Sequence, residues 1–202
     1  MYIKEYISSC ITCTYAKVPR HKYYRLLRQL SIPSRLWNSI SMDFNEQLSA
    51  SSGHTYACTA ILVVVDYLLI WCIFIPADNI TFSKLVKLFL FYVFLKHGVP
   101  SYITSDRDSK FVFHFFSSLG KAFNIHLHFT SSYHPEGDSQ TERMNQMLEQ
   151  YLCIYCNYQQ DNWSELLPLM EFSYNNAPNA TTDISLFFIN KGYHPNISVH
   201  PE

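Results

Sequence analysis

Three acidic residues of this sequence stand where carboxylates could hold divalent metal ions. Asp43 and Asp106 each follow a short apolar or β-prone stretch, as a carboxylate at a strand end would, and Glu142 opens a long helical pattern. Mg²⁺ prefers hard oxygen ligands in near-octahedral geometry. Two such ions stabilise the attacking and leaving oxygens of an in-line phosphoryl transfer. Because the chain has 16 acidic residues, spacing alone leaves open that these three are ordinary surface acids.

The elements that would position these acids are predicted from periodicity and turn signals. Three sequential strands indicate an antiparallel meander, and strands that then alternate with helices give an α/β fold with a mixed sheet flanked by helices. That order can bring the three acids to one edge of the sheet. Strands are predicted at residues 40–44, 56–65, 71–76, 102–105 and 125–130, and helices at 81–96, 111–123, 140–158 and 163–175.

Composition favours a single globular core. The chain has 202 residues, of which 48% are apolar and 15% charged, so it is neither disordered nor membrane-spanning. No signal peptide is recognisable, and we expect a soluble intracellular protein without disulfides. Cys10 and Cys13 have the spacing of half a zinc site, but a closed site takes four ligands. We therefore expect no stable zinc binding, and we expect Cys153 and Cys156 to be thiols buried by a helix.

The charge is unevenly distributed. Residues 1–35 have a net charge of +6 and the remaining residues a net charge of −7. A basic arm on a mildly acidic body suits contacts to DNA phosphates, and it suits a solvated linker equally well. The residues of the arm that we select for phosphate contact are Lys17, Arg20, Lys22, Arg25 and Arg28.

Several ordered phrases resemble one protein family. They include Ser-Ile-Ser-Met-Asp-Phe around Asp43, Ile-Thr-Ser-Asp-Arg-Asp-Ser-Lys-Phe around Asp106, and Gln-Thr-Glu-Arg-Met-Asn-Gln around Glu142. Phe-Leu-Lys-His-Gly-Val-Pro, Ser-Ser-Tyr-His-Pro and Gly-Tyr-His-Pro fall between and after them in the matching order. From about Tyr6 to Pro195 the chain resembles the integrase of gypsy-type LTR retrotransposons, which share the retroviral-type integrase catalytic core.

That resemblance implies an RNase H-like fold with a five-stranded sheet and a two-metal polynucleotidyl transferase, thus an enzyme. For this chain by itself we expect a recognisable site with impaired or absent turnover, because of the departures described next. Asp43, Asp106 and Glu142 would be both the catalytic residues and the ligands of two Mg²⁺ or Mn²⁺ ions. The family trims DNA ends with water and then joins the new 3′-hydroxyl to target DNA. The implied partners are the DNA ends of the element and target DNA. A homo-oligomer is compatible with this function, and no membrane contact is expected. The implied location is the nucleus.

The chain also departs from the family pattern. Ser139 stands where the family usually has Gly, which permits a positive φ, and neither a complete zinc domain nor a C-terminal DNA-binding domain is recognisable. We divide the chain into a zinc-domain remnant with a basic linker (1–35), the catalytic core (36–178) and an irregular tail (179–202). The alternative function is an inactive retrotransposon remnant, or a domesticated fold that binds nucleic acid or protein.

Four residues beside Glu142 are further candidates for contacts to DNA. His134 and Gln140 precede the acid, and Arg143 and Asn145 follow it on the helix. A turn-shaping role for His134 and a solvated helix face for Arg143 and Asn145 are the alternatives. Asp66 matches a family position, but we expect it to cap a turn between strands.

The basic arm yields a testable prediction. Deleting residues 1–35 should weaken DNA binding and flatten its dependence on salt, because phosphate contacts release counterions from the DNA. Titrations of labelled duplex at several salt concentrations measure both quantities. An unchanged salt slope would move the DNA contact from the arm to the core.

Overall fold

The computed structural model describes residues 9–10, 32–46, 48–51, 57–78, 81–106, 120–121, 123–130, 139–179 and 182–197. Within these ranges five strands form one sheet in the order β3-β2-β1-β4-β5. β1 pairs antiparallel with β2, and β2 with β3, whereas β1, β4 and β5 are parallel. The predicted mixed five-stranded sheet is confirmed. Its strands are β1 (Ser39–Asn45), β2 (Ala60–Asp66), β3 (Cys72–Ala77), β4 (Tyr102–Asp106) and β5 (His126–Thr130).

Four helices are described in full. α1 consists of Phe82–Phe89, a π-helical turn at Leu90–Phe94, and Leu95–His97. Of the helix predicted at 111–123, only Gly120, Lys121 and Phe123 are described, and all three are helical. The other helices are α2 (Ser139–Tyr155), α3 (Trp163–Asn176) and α4 (Leu186–Lys191).

The sheet separates two apolar clusters. Alternate residues of a strand point to opposite faces, and all seven residues of β2 are buried. One face packs against α1 and α4, and the other against α2 and α3. Ser41 and Asp43 share the second face with Val63, which pairs with Asp43. On β1, the apolar residues Ile40 and Met42 lie on the first face and alternate with Ser41 and Asp43. A slip of one residue would exchange the two sets, so the burial of Ile40 and Met42 fixes the register that presents Asp43 to α2.

The π-helical turn keeps one side of α1 against the sheet. Leu85, Phe89 and Val93 are buried at intervals of four residues. In an α-helix a four-residue step exceeds one full turn, so such a stripe drifts around the axis. The wider i→i+5 turn, which includes a hydrogen bond from the Leu95 N–H to the Leu90 carbonyl, reverses this drift.

The outer side of edge strand β3 is closed by side chains of α3. The Phe74 N–H donates to Glu171 Oε2 at 3.0 Å. The Cys72 N–H donates to Asn175 Oδ1 at 3.1 Å, and Asn175 Nδ2 donates to the Cys72 carbonyl at 2.8 Å. Pro76, next on this side, has no N–H. Two side chains four residues apart on a helix thus take the place of a sixth strand.

Residue Ser51 caps α3 from more than a hundred residues away in sequence. Asn162, the residue before α3, makes no side-chain capping bond. Instead, Ser51 Oγ accepts the Ser164 N–H at 3.3 Å and donates to the Asp161 carbonyl at 2.7 Å. The start of a helix leaves N–H groups without partners, so the segment between β1 and β2 supplies what the local sequence lacks.

The predicted irregular tail is wrong over α4. Ser185 caps this helix by accepting the Phe188 N–H, Gly192 ends it in a left-handed conformation, and Leu186 is buried. Asn190 Oδ1 accepts a hydrogen bond from the Trp37 indole at 3.3 Å. The predicted tail misses this helix because only six residues are helical, which is too short for apolar periodicity to be read.

Trp37 also explains the role of Asp66. The Trp37 ring stacks on His97 with centroids 3.6 Å apart, and burial, with Lys191 and Lys96 nearby, lowers the pKa of His97 to about 4. Asp66 accepts the N–H groups of Trp37 and Leu69, each at 2.9 Å. Burial raises the pKa of Asp66, although these bonds oppose that shift. The prediction that Asp66 caps a turn is confirmed.

The predicted burial of the α2 thiols is wrong. Cys153 is exposed and Cys156, one residue beyond the end of α2, is half-buried. The buried stripe of α2 passes through Met144, Leu148 and Leu152, and Cys153 is rotated about 100° from it. Separately, no described helix is long and apolar enough to cross a membrane.

Closure of the β3 edge yields a prediction for stability. Replacing Asn175 by Leu should lower the free energy of unfolding by about 2–6 kcal/mol, because two buried backbone groups of Cys72 lose their partner and each such loss costs about 1–3 kcal/mol. Urea denaturation measures this loss. A change below about 0.5 kcal/mol, the usual range for surface substitutions, would contradict the assignment.

Glu171→Gln is the matched control because it keeps an acceptor for the Phe74 N–H. Burial raises the pKa of Glu171, so ionisation disfavours the fold and stability falls as pH rises through the folded pKa. The control should therefore be at least as stable as the parent at neutral pH. Its advantage should shrink at acidic pH, where the parent carboxyl is protonated.

Candidate functional site

Asp43 and Asp106 lie on neighbouring parallel strands. β1 and β4 pair in register from Ser39 with Tyr102 to Met42 with Ser105, and the next residues along the two strands are Asp43 and Asp106. Their backbones therefore stand side by side at the same end of the sheet. Asp43 is half-buried, whereas the side chain of Asp106 lies outside the described residues.

Helix α2 meets Asp43 directly. Asn145 Nδ2 donates a hydrogen bond of 2.6 Å to Asp43 Oδ2. One strand repeat earlier, the buried hydroxyls of Ser41 and Thr141 are hydrogen-bonded to each other. Both contacts join residues about a hundred positions apart in sequence, so they form only when α2 lies across β1.

Glu142 flanks the side of α2 that contacts β1. It directly follows Thr141 and lies three residues before Asn145, which makes Glu142 and Asn145 neighbours on the helix surface. Its carboxylate is exposed, whereas Thr141 and Met144 are buried. Glu142 is therefore free of the apolar core and is carried by the turn of α2 that Asn145 attaches to Asp43.

The other predicted site residues differ in what the structure says of them. Arg143 is exposed. Asn145, which we selected for DNA contact, donates a hydrogen bond from its amide nitrogen to Asp43. That Asn145 orients Asp43 was not predicted from the sequence. The three-residue spacing between Glu142 and Asn145 places both on neighbouring positions of the helix surface and could have indicated it. Cys10 is half-buried. Outside the described residues lie Cys13, Lys17, Arg20, Lys22, Arg25, Arg28 and His134.

The donor set fits a hydrated divalent cation. Among the described residues, no three His, Cys, Asp or Glu side chains gather into a metal site. The side chain of Asp106 is not among those described, so this finding does not include it. Two buried amide oxygens in the first turns of α2, Gln140 Oε1 and Asn145 Oδ1, have no hydrogen-bond partner among the described atoms. Buried acceptors normally have a partner, and water bound to a cation donates such bonds. Carboxylate oxygens with nearby acceptors are the surroundings that Mg²⁺ or Mn²⁺ requires.

Relatives in sequence come from one kind of mobile element. The chain is 34% identical over 197 residues, 97% of its length, to the Transposon Tf2-3 polyprotein of Schizosaccharomyces pombe. The Tf2-4 and Tf2-5 polyproteins of the same organism match equally well. The chain spans 14% of the length of these relatives. No protein-family model matches it.

Three solved structures with a similar fold come from viruses. A simian T-cell lymphotropic virus intasome in complex with PP2A regulatory subunit B56 gamma matches with a TM-score of 0.61 at 16% identity, over 98% of this chain and 66% of the other. The HTLV-2 integrase catalytic core domain in complex with magnesium matches with a TM-score of 0.52 at 18% identity, over 77% and 97%. The BIV integrase catalytic core domain matches with a TM-score of 0.56 at 17% identity, over 76% and 93%. These likenesses confirm the RNase H-like fold.

The contact between Asn145 and Asp43 can be tested by two nearly isosteric substitutions. Asn145→Leu removes the donor and should lower the free energy of unfolding by about 1–2 kcal/mol, near the low end for a bond to a charged group because Asp43 is half-exposed. Asn145→Asp should cost more at neutral pH because it places a second carboxylate against the first. Urea denaturation at several pH values measures both effects.

The pH dependence of Asn145→Asp separates charge from packing. Two carboxylates in contact raise one pKa of the pair, and a raised acid pKa gives stability that is present at low pH and lost as pH rises. As the pH is lowered from neutral to about 4, the free energy of unfolding of Asn145→Asp should thus rise toward that of the parent. That of Asn145→Leu should rise less. Equal behaviour of the two variants would contradict the contact.

Proposed function

Because this chain belongs to the integrases of gypsy-type LTR retrotransposons, we propose that it acts as a catalytic core of DNA integration. The proposed reactions are hydrolysis near a DNA end, which frees a 3′-hydroxyl, and transesterification, in which that hydroxyl displaces a 3′-oxygen of target DNA. The supporting observation is the seat of α2 on β1. Through the bond from Asn145 to Asp43 it brings the turn with Glu142 to the strand end that Asp43 shares with Asp106.

We assign Asp43, Asp106 and Glu142 as the metal ligands and catalytic residues. Two bound Mg²⁺ or Mn²⁺ ions would activate the nucleophile and offset negative charge on the phosphate. Asp43 offers oxygen ligands from a rigid central strand, and Asn145 orients its carboxylate by holding Oδ2. Glu142 is exposed and so is available to ions at the sheet edge. That one solved relative was determined with magnesium supports the choice of ion.

The proposed partners are DNA and further copies of the chain. One solved relative is described as an intasome and another as a dimeric form, which supports assembly of a homo-oligomer on element ends and target DNA. The arm residues would supply sequence-tolerant phosphate contacts. Arg143, exposed beside Glu142, would do so at the site. The proposed location is the nucleus, where target DNA resides.

The alternative is a catalytically silent remnant, for which Ser139 is the main argument from sequence. Ser139 is the first residue of α2. A helical backbone has negative φ, which Ser adopts without strain, so the usual reason for requiring Gly does not apply in this conformation. The helical conformation of Ser139 thus weakens the argument from backbone strain for the remnant.

The proposal predicts a specific pattern of activity with Mn²⁺. Using short duplexes as both donor and target, the parent chain should join DNA ends, and Glu142→Gln should reduce joining by more than about 100-fold, since even outer partners of metal ligands are worth about 10–100-fold. Ser139→Gly should change the rate little. Gel separation of labelled strands measures the products.

Glu149→Gln provides the matched control. Glu149 is also an exposed glutamate of α2, two turns beyond Glu142, and its substitution should leave joining within about twofold of the parent. If Glu142→Gln retains parental activity, the metal assignment is wrong. If the parent is inactive and Ser139→Gly is active, the remnant interpretation replaces the proposal.

A further inference from the structure

The hydroxyl pair Ser41–Thr141 stands out among the buried polar groups. Ser41 is 1% exposed and Thr141 is 0% exposed, and their hydroxyls hydrogen-bond across the seam between β1 and α2. Much of the rest of this seam is apolar, with Met144 and Leu148 packed against the sheet. Apolar contact is non-directional, whereas a hydroxyl pair is satisfied only within a narrow range of distance and angle.

The pair and the contact between Asn145 and Asp43 have matching spacings. Ser41 and Asp43 are two residues apart on one face of β1, which is about 6.8 Å along a strand. Thr141 and Asn145 are four residues apart on α2, which is about 6 Å along a helix. The helix and the strand therefore run in the same direction with two polar contacts roughly one helical turn apart.

Two polar contacts restrict the orientation of α2 on β1 more than one contact does. A single bond from Asn145 to Asp43 allows α2 to pivot about that point. A second bond one turn earlier removes this freedom and sets both the height and the rotation of the turn between them. Glu142 stands on that turn, directly after Thr141.

We infer that the Ser41–Thr141 pair is a positioning device that sets the placement of Glu142 relative to Asp43. The catalytic importance of this placement rests on the proposed function. The claim that the pair sets the placement of α2 does not depend on metal binding. Ser41 and Thr141 are not among the residues that we assign as metal ligands. Both act through the placement of α2.

The test compares removal of one hydroxyl with removal of both. Thr141→Val keeps the β-branched shape, and Ser41→Ala removes only an oxygen. Each single variant removes the hydrogen bond between the two buried hydroxyls and should unfold at lower urea concentration than the parent. The double variant replaces both by apolar groups, which is close to neutral for stability, so its midpoint should return most of the way.

The decisive readout is the side-chain amide signal of Asn145 in ¹H–¹⁵N NMR spectra without metal. In the parent this signal should reflect the bond to Asp43. In the double variant it should shift toward that of a free amide despite the recovered stability. Thr141→Ser, which keeps the hydroxyl, should retain the parental signal. An unchanged Asn145 signal in the double variant would show that the pair only fills space and would overturn the inference.

A second buried hydroxyl pair offers the matched control. The hydroxyls of Ser51 and Ser164 are 2.7 Å apart, and both residues are 0% exposed. This pair joins the segment between β1 and β2 to α3. Ser51 Oγ also accepts the Ser164 N–H and donates to the Asp161 carbonyl, so replacing both serines by Ala removes backbone partners at the start of α3 and should lower the midpoint of unfolding. It should leave the Asn145 signal unchanged. A shift as large as in the Ser41 and Thr141 double variant would mean that any loss of stability moves the signal, which would also overturn the inference.

Mn²⁺ affinity, measured by electron paramagnetic resonance, separates this inference from the proposed function. The Ser41 and Thr141 double variant should bind Mn²⁺ about tenfold or more weakly than the parent, the range for outer partners of a metal site. If the parent binds no Mn²⁺ but the Asn145 signal still responds to the double substitution, the proposed function fails and the positioning role stands. Weakened binding without a change in that signal counts against positioning through α2.

Discussion

Helix α2 packs along β1, and the chemistry we propose depends on that packing. Asn145 and Thr141 attach the helix to two polar residues of one strand, Asp43 and Ser41. Those strand residues face the helix because Ile40 and Met42, which alternate with them on β1, are buried in the apolar cluster on the opposite face of the sheet. A polar site therefore depends on apolar packing that contains no catalytic group.

The elements of the sheet were predictable because their signals are local. Apolar patterns and turn residues predicted all five strands. The sequence motifs that resemble the integrase family identified Asp43, Asp106 and Glu142 as the candidate acids. The contact from Asn145 to Asp43 was not predictable in the same way, because it joins residues 102 positions apart. Sequence periodicity places a residue on a face of its own element but does not say which residue of another element it meets.

The same limit applies to support supplied from a distance. α3 has no capping side chain of its own, and Ser51 replaces it. The chain has only five glycines, and Trp37 and Ile70 adopt positive φ, where glycine is usually favoured. Strain of this kind persists only when surrounding contacts hold it. At Trp37 the partners of that conformation, Asp66, His97 and Asn190, come from three separate parts of the chain.

The side-chain closure of β3 has a consequence for behaviour in concentrated solution. With a net charge of −1, copies of the chain repel one another only weakly, and an open strand edge is a template for aggregation. Glu171 and Asn175 occupy the outward N–H groups of Phe74 and Cys72 and the Cys72 carbonyl, and Pro76 has no N–H, so another strand would find no free N–H donor on this side of β3 between Cys72 and Pro76. Resistance to strand addition at this edge is thus provided by geometry where charge does not provide it.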